Sequence, residues 1–364
     1  MDASEFDGLE GQLKEKRNKV DVSNVSFSAR EIVRMYIDDE LIIAPSYQRK
    51  YRWPKNVASR FIESIFLGLP IPPVFVATND NFSWEVVDGL QRISTLILYM
   101  ADDPEVRATV SSSDSDALEL QDLENLTQLN GKTYQDLPQP LRLYLARQPL
   151  QVVSLTDKSD KSVRFDLFER LNTGSISLSA QEVRTAVYGG SRFLSFIERL
   201  SEDENLDSLL KLQKVNQNDG TKTEQVLKFF AYKNNYEEFK GAVTKFLNSF
   251  IESMDNNISG FDYTAEERTF RETMSYLNKL MDGRPFLRNR TTVTPLVQFE
   301  AAAVGAGMLI ESGVQPITPA IDWIHDDELV TASTRGSNTR SMLARRIARA
   351  KAIFSGEADV LRKP

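Results

Sequence analysis

At 364 residues the chain is long for one hydrophobic core, so two domains are expected. Apolar residues at 41% and charged residues at 26% describe an ordinary globular protein, and the net charge of −8 argues against broad, sequence-independent coating of DNA. There is no cysteine and the single histidine is His325, which excludes disulfides, thiolate nucleophiles, cysteine zinc sites and metal nucleases built on several imidazoles.

An enzyme made from this set works with carboxylates, amides, arginines and Mg²⁺. The opening MDASEFDGLEGQLKEKRNK is polar and mixed in charge, without the apolar core of a signal peptide. No run approaches the roughly 20 apolar residues of a membrane helix, so a cytoplasmic address and no membrane partner are expected.

Residues 1–24 read as a flexible lead. A short helix is predicted over Ser28–Tyr36 and a strand over Leu41–Ile43. Pro45 to Asn56, PSYQRKYRWPKN, is dense in arginine and aromatics. Val57, Phe61, Ile62, Ile65 and Phe66 then recur at helical spacing, with Gly68 and Pro70 as the stop.

PPVFVATNDNFSWEVVDG reads as a β-hairpin turning near Asn79–Asn81. A helix follows from about Leu90, since Ile93, Leu96, Ile97 and Met100 fall at i, i+3, i+4 and i+7. Ser111 to Asp116 is a loop, a helix start is predicted near Asp136, and Leu150–Leu155 is a buried strand.

Val163, Leu167 and Leu171 mark another helix, stopped at Asn172-Thr173-Gly174. Ser179 with Glu182 is a capping-box signature for the next. Beyond Gly190 the segments read as helix and strand signals disappear. The fold class is therefore α+β followed by an all-helical part, with domains at 25–190 and 191–364.

Asp88-Gly89-Leu90-Gln91-Arg92 lies at the strand-to-helix junction, and two readings of it are open. In one, Asp88 caps the helix, Gly89 turns the chain and Arg92 is solvated. In the other, Gly89 admits a phosphate to the first-turn N–H groups, Arg92 neutralises it, and Asp88 holds Mg²⁺ or a water. The aromatic, arginine-rich strip around Gln48 and Arg49 is either a surface turn, a nucleic-acid strip or the completion of a nucleotide site.

NGKT at 130–133 is not a P-loop, because Leu126 stands where the earlier glycine is required. His325, among acidic neighbours, reads as a solvated loop residue rather than a metal ligand. In the last helix Arg340, Arg345, Arg346 and Arg349 read as a solvated basic face, with weak contact to DNA or a partner protein as the alternative.

Tyr47-Gln48-Arg49 with Trp53, then Asp88-Gly89-x-Gln91-Arg92, then Phe168 and Asn172 resemble, in order and spacing, the DGQQR-motif family. That family forms the N-terminal part of GmrSD-type restriction endonucleases and has a ParB/sulfiredoxin-like fold. The likeness extends to LNGKTYQDLP and LSAQEVRTAVYGG, and DDELVTASTRGSNTRSMLARRI is similar to the C-terminus of stand-alone members.

The resemblance implies nucleotide binding, and in several members nucleotide hydrolysis, coupled to defence against foreign DNA, with Mg²⁺ the cofactor expected at Asp88. It assigns nucleotide contact to Tyr47, Gln48, Arg49, Trp53, Gly89, Arg92 and Asn172, and catalysis to Asp88, Gln91 and Arg92. The alternatives are a non-catalytic nucleotide sensor gating a separate nuclease or toxin, and, ranked below it, a ParB-like DNA nuclease. Homo-oligomerisation is also open. Leu90 departs from the family's glutamine. A His-Asn-His nuclease domain, common in relatives, needs more than one histidine and is not in this sequence.

Overall fold

The computed structural model describes residues 9, 11–13, 21–43, 51–79, 81–111, 116–155, 161–171, 179–217, 219–256, 260–288, 291–334 and 336–360. The chain divides into two compact units. One comprises residues 1–178 with 185–187, the other residues 179–184 with 188–364. No helix among the described residues is long and apolar enough to cross a membrane.

The N-terminal unit is built on a mixed five-stranded sheet in the order β1-β5-β3-β4-β2. Its strands are β1 (Val22–Ser28), β2 (Leu41–Ile42), β3 (Val74–Thr78), β4 (Trp84–Asp88) and β5 (Pro149–Leu155). β3 and β4 form the expected antiparallel hairpin, while β3 runs parallel to β5 and β4 parallel to β2.

Helices α1 (Ala29–Ile37), α2 (Lys55–Phe66), α3 (Leu90–Met100), α4 (Pro104–Val110), α5 (Gln139–Ala146) and α6 (Lys161–Leu171) complete this unit. Its core joins Ile32 and Val33 of α1, Phe61 and Ile62 of α2, Val74, Val76 and Val86 of the hairpin, and Ile93, Leu96 and Ile97 of α3. α3 is thus fixed by its apolar stripe against the sheet that supplies the strand before it.

Two expectations change. Residues 22–24, expected in a flexible lead, belong to β1, which pairs antiparallel with β5 from Val22–Leu155 to Ser28–Pro149. VSNVSFS lacks a clean apolar alternation because this edge strand is largely exposed, and a partner about 125 residues away holds it. Likewise, no helix starts at Asp136. Its carboxylate accepts the Thr133 N–H and hydroxyl, closing a turn, and the helix begins only at Gln139, with Pro140 in its first turn.

In the described part of the second unit only helices occur: α8 (Arg192–Leu200), α9 (Glu204–Leu209), α10 (Thr221–Asn235), α11 (Val243–Asp255), α12 (Tyr263–Leu280), α13 (Leu296–Glu311), α14 (Asp327–Thr334), α15 (Arg340–Ser355) and α16 (Glu357–Val360). α7 (Ala180–Val187) straddles the division and carries the predicted capping box, Ser179 and Glu182 bonding each other's backbone N–H.

α13 is buried nearly all round, and its glycines set the packing distance. A Cβ on Gly305 would lie 2.8 Å from the Ala350 Cβ and from the Lys351 nitrogen on α15. One on Gly307 would lie 2.8 Å from the Phe229 ring on α10. Charges buried beside these contacts are paired. The Lys228 ammonium sits 3.0 Å from both Glu224 and Glu300, and Arg184 reaches Glu224 at 2.8 Å. Burial raises the Glu224 pKa, but Lys228 and Arg184 outweigh it and hold the carboxylate at about 2.

Candidate functional site

β4 ends at Asp88, Gly89 turns the chain at φ 103° and ψ 8°, and α3 begins at Leu90. An L-residue is strained at that φ. Space is also closed, because a Cβ here would meet Val74 Cγ2 at 3.0 Å, Val74 Cγ1 at 3.3 Å and Arg92 Nη2 at 3.4 Å. No side chain caps α3 and no carboxylate stands in its first turn. The first ladder bond runs from the Ile93 N–H to the Gly89 carbonyl, so the amides of Leu90, Gln91 and Arg92 precede the helical ladder.

Asp88 is therefore not the helix cap. Its Oδ2 accepts from Arg92 Nη2 at 2.7 Å, and Arg92 Nη1 donates to the Pro72 carbonyl at 2.5 Å. The Arg92 side chain is 12% exposed and that of Asp88 46%, so the guanidinium is buried behind a more open carboxylate. An arginine held at both ends presents a fixed fork beside the uncapped helix start, the arrangement that binds a phosphate oxygen by charge-assisted hydrogen bonds.

Gln91 is engaged elsewhere. Its Oε1 accepts the backbone N–H of Arg52 at 2.9 Å and of Trp53 at 3.1 Å. One turn further on, Thr95 donates its hydroxyl proton to the Gln91 carbonyl at 2.7 Å, so the Tyr51 hydroxyl 3.1 Å away is the donor in the Tyr51–Thr95 bond. Burial raises the Tyr51 phenol pKa against the opposing pull of Thr95, which keeps that donor protonated. Trp53 turns its ring into the core, edge-on to Phe61 at 5.6 Å, and gives the junction only its N–H. Leu90, at the position of the motif's glutamine, is half-buried and packs against the core.

Asp88, Gly89, Gln91, Arg92 and the chain at Trp53 are thus brought together. Tyr47, Gln48, Arg49 and Asn172 lie outside the described residues. Phe168 is on α6, but its side chain lies outside what is described. Sequence reasoning missed Tyr51, Arg52, the Pro72 carbonyl and Thr95. Tyr51 and Arg52 stood in the aromatic, arginine-rich strip without being assigned a role, Thr95 left a signal four residues after Gln91 on the same helical face, and Pro72 left none.

The expected basic face of α15 needs correction. Arg346 is 1% exposed, donates to the Ser337 carbonyl and faces Glu300 at 3.9 Å, so it is a core cation. Arg349 makes a two-pronged bond to Asp326 at 3.0 and 2.8 Å, and Arg345 pairs with Glu328 at 2.9 Å. Arg340 alone of the four is exposed without a described ion pair. The apolar stripe shows in the sequence; the acidic partners, from α13, α14 and the residue before α14, do not.

His325 lies 2.9 Å from an oxygen of Asp322 in a short 3₁₀ turn. No group of three or more His, Asp or Glu side chains able to hold a metal ion occurs among the described residues. Among the described residues the junction offers one carboxylate, Asp88. That fits a Mg²⁺ that keeps most of its waters and arrives with phosphates, not a preformed cage. A cavity of about 550 Å³ opens in the second unit; Asp262 and Glu272, with Glu266 and Glu311 paired to Lys233, outweigh Arg268 in its lining and disfavour a polyanion.

Residues 30–189 match the family model described as the GmrSD restriction endonuclease, N-terminal domain. No curated protein matches, and no solved structure matches.

Proposed function

We propose, from the premise that residues 30–189 form a GmrSD restriction endonuclease N-terminal domain and so mark a component of a restriction-type defence system, that this component binds a nucleoside triphosphate at the β4–α3 junction and hydrolyses it. The observation that carries the reading is the uncapped start of α3 with Arg92 fixed beside it by Asp88 and Pro72. Hydrolysis of a phosphoanhydride asks mainly for neutralised charge and a positioned water. The first-turn amides and Arg92 supply the charge. Asp88, once a phosphate takes Arg92, is released to hold a water or a Mg²⁺ that enters with the nucleotide. Nucleotide contact by Tyr47, Gln48, Arg49 and Asn172, and the ParB/sulfiredoxin-like kinship implied by the motifs, are part of this proposal.

A second reading has its own support. Gln91 is committed to backbone N–H groups and Asp88 to Arg92, so both motif side chains that could act on a water are already engaged. That favours a sensor whose nucleotide state gates a separate nuclease or toxin. Phosphate release from each of the four ribonucleoside triphosphates with Mg²⁺ separates the two. Slow release that Asp88→Ala abolishes, with binding retained, supports hydrolysis. Binding without turnover in the wild type, with or without DNA, replaces the enzyme by the sensor.

A further inference from the structure

Three hydrogen bonds fasten the chain at 51–53 to one face of α3. The Arg52 and Trp53 N–H groups both bind Gln91 Oε1, and the Tyr51 hydroxyl binds Thr95. The partners are 38 to 44 residues apart in sequence, so local structure does not impose the contact. One amide oxygen with two backbone donors is fully occupied as an acceptor. The Arg52 backbone is thereby tied to the side chain of the second residue of α3, while its own side chain is exposed and makes no described ion pair. Arg92, by contrast, is already engaged by a carboxylate and a carbonyl.

We infer that Gln91 is a positioning residue, not a catalytic one: with Thr95 it clamps Tyr51–Trp53 against α3 and so sets Arg52 at the helix start as a second, uncommitted cation for the bound anion. The clamp itself stands on geometry alone, whereas the role of Arg52 rests on the triphosphate reading above. The exposed Arg52 guanidinium is open to an incoming polyphosphate, whereas Arg92 must first exchange Asp88 for it. Arg52 therefore contributes to capture, and its contribution is screened by salt because it is exposed.

The test uses the full chain. Trypsin cleaves after Arg52, and the product is identified by mass. In Gln91→Met, which keeps the side chain's length but removes both acceptor bonds, cleavage at this bond is expected to rise at least about tenfold with the melting temperature little changed. Gln91→Glu keeps an oxygen for both N–H groups and restores the slow rate. Thr95→Val, which removes the Tyr51 partner, gives an intermediate rate and serves if Gln91→Met folds poorly. In titrations with ATP, CTP, GTP and UTP at low salt, Arg52→Gln weakens the bound nucleotide about tenfold, and 0.5 M salt erases the difference.

Wild-type cleavage rates in both Gln91→Met and Thr95→Val overturn the clamp, whatever the nucleotide results. Undiminished affinity in Arg52→Gln overturns the role of Arg52. If the wild type binds none of the four nucleotides, the triphosphate reading and the role of Arg52 fall together, and the cleavage series still decides the clamp.

Discussion

Gly89→Ala is the sharpest perturbation of the junction. The backbone there sits at φ 103°, where an L-residue costs about 1–2 kcal/mol. The new Cβ also falls 3.0 Å from a Val74 methyl, and Val74 is β-branched and 2% exposed, so it cannot swing away. Such crowding adds roughly 1 kcal/mol, and the stiffer unfolded chain returns about 0.4–1. The net cost is about 1–3 kcal/mol, or a melting temperature lower by about 2–10 °C for a unit of this size. Because the Cβ would also stand 3.4 Å from Arg92 Nη2, anion binding falls with it.

Gly68→Ala is the matched control. Its φ is 67°, but a Cβ there meets nothing within 4 Å, so it carries the backbone strain without the crowding. Differential scanning fluorimetry with a nucleotide titration of both variants decides the matter. A Gly89→Ala protein as stable as Gly68→Ala, with nucleotide affinity intact, would refute the view that this turn is closed around the arginine.

Other expectations follow from the same contacts. Gly305→Val drives two methyls into Ala350 and the α15 backbone and destabilises the second unit by more than about 2 kcal/mol, seen as a lower urea midpoint; an unchanged midpoint contradicts the close packing. The hydrogen bond from Arg199, then that from Arg271, opposed by burial, holds Glu267 at about 2, below its ordinary 4.5. A depressed carboxylate stabilises fully above its unfolded pKa and loses that stabilisation as the pH falls toward about 2. Glu267→Gln is therefore less stable than wild type by about 1–3 kcal/mol at pH 7, after allowance for partial solvent screening, and equal to it near pH 2. Plasmid DNA incubated with the protein, Mg²⁺ and nucleotide stays intact; cleavage that disappears in Asp88→Ala makes the N-terminal domain a nuclease.

The parts of this architecture that show in the sequence are those with local causes. Ile93, Leu96, Ile97 and Met100 announce α3 by spacing, and Ser179 with Glu182 announces α7 by cap chemistry, because both effects act within a turn or two. β1 does not show, since its ladder partner is the distant β5 and five of its seven residues are exposed. The same divide runs through the site. Gly89 and Arg92 are legible at a strand-to-helix boundary, whereas the grip of Gln91 on Arg52 and Trp53 depends on a fold that brings α3 beside a distant segment. Arg346 shows the converse failure: an arginine in a basic run reads as exposed, and only the fold shows the Ser337 carbonyl and the buried Glu300 that receive it.

The most direct measurement is isothermal titration of wild type and Arg92→Ala with the four ribonucleoside triphosphates. A single charge-assisted hydrogen bond at the helix start is worth about 1.5–3 kcal/mol, so without it the affinity for the bound nucleotide drops by roughly 10- to 150-fold, while the melting temperature of the free protein shows that the fold persists. Equal affinity in the two proteins contradicts the site.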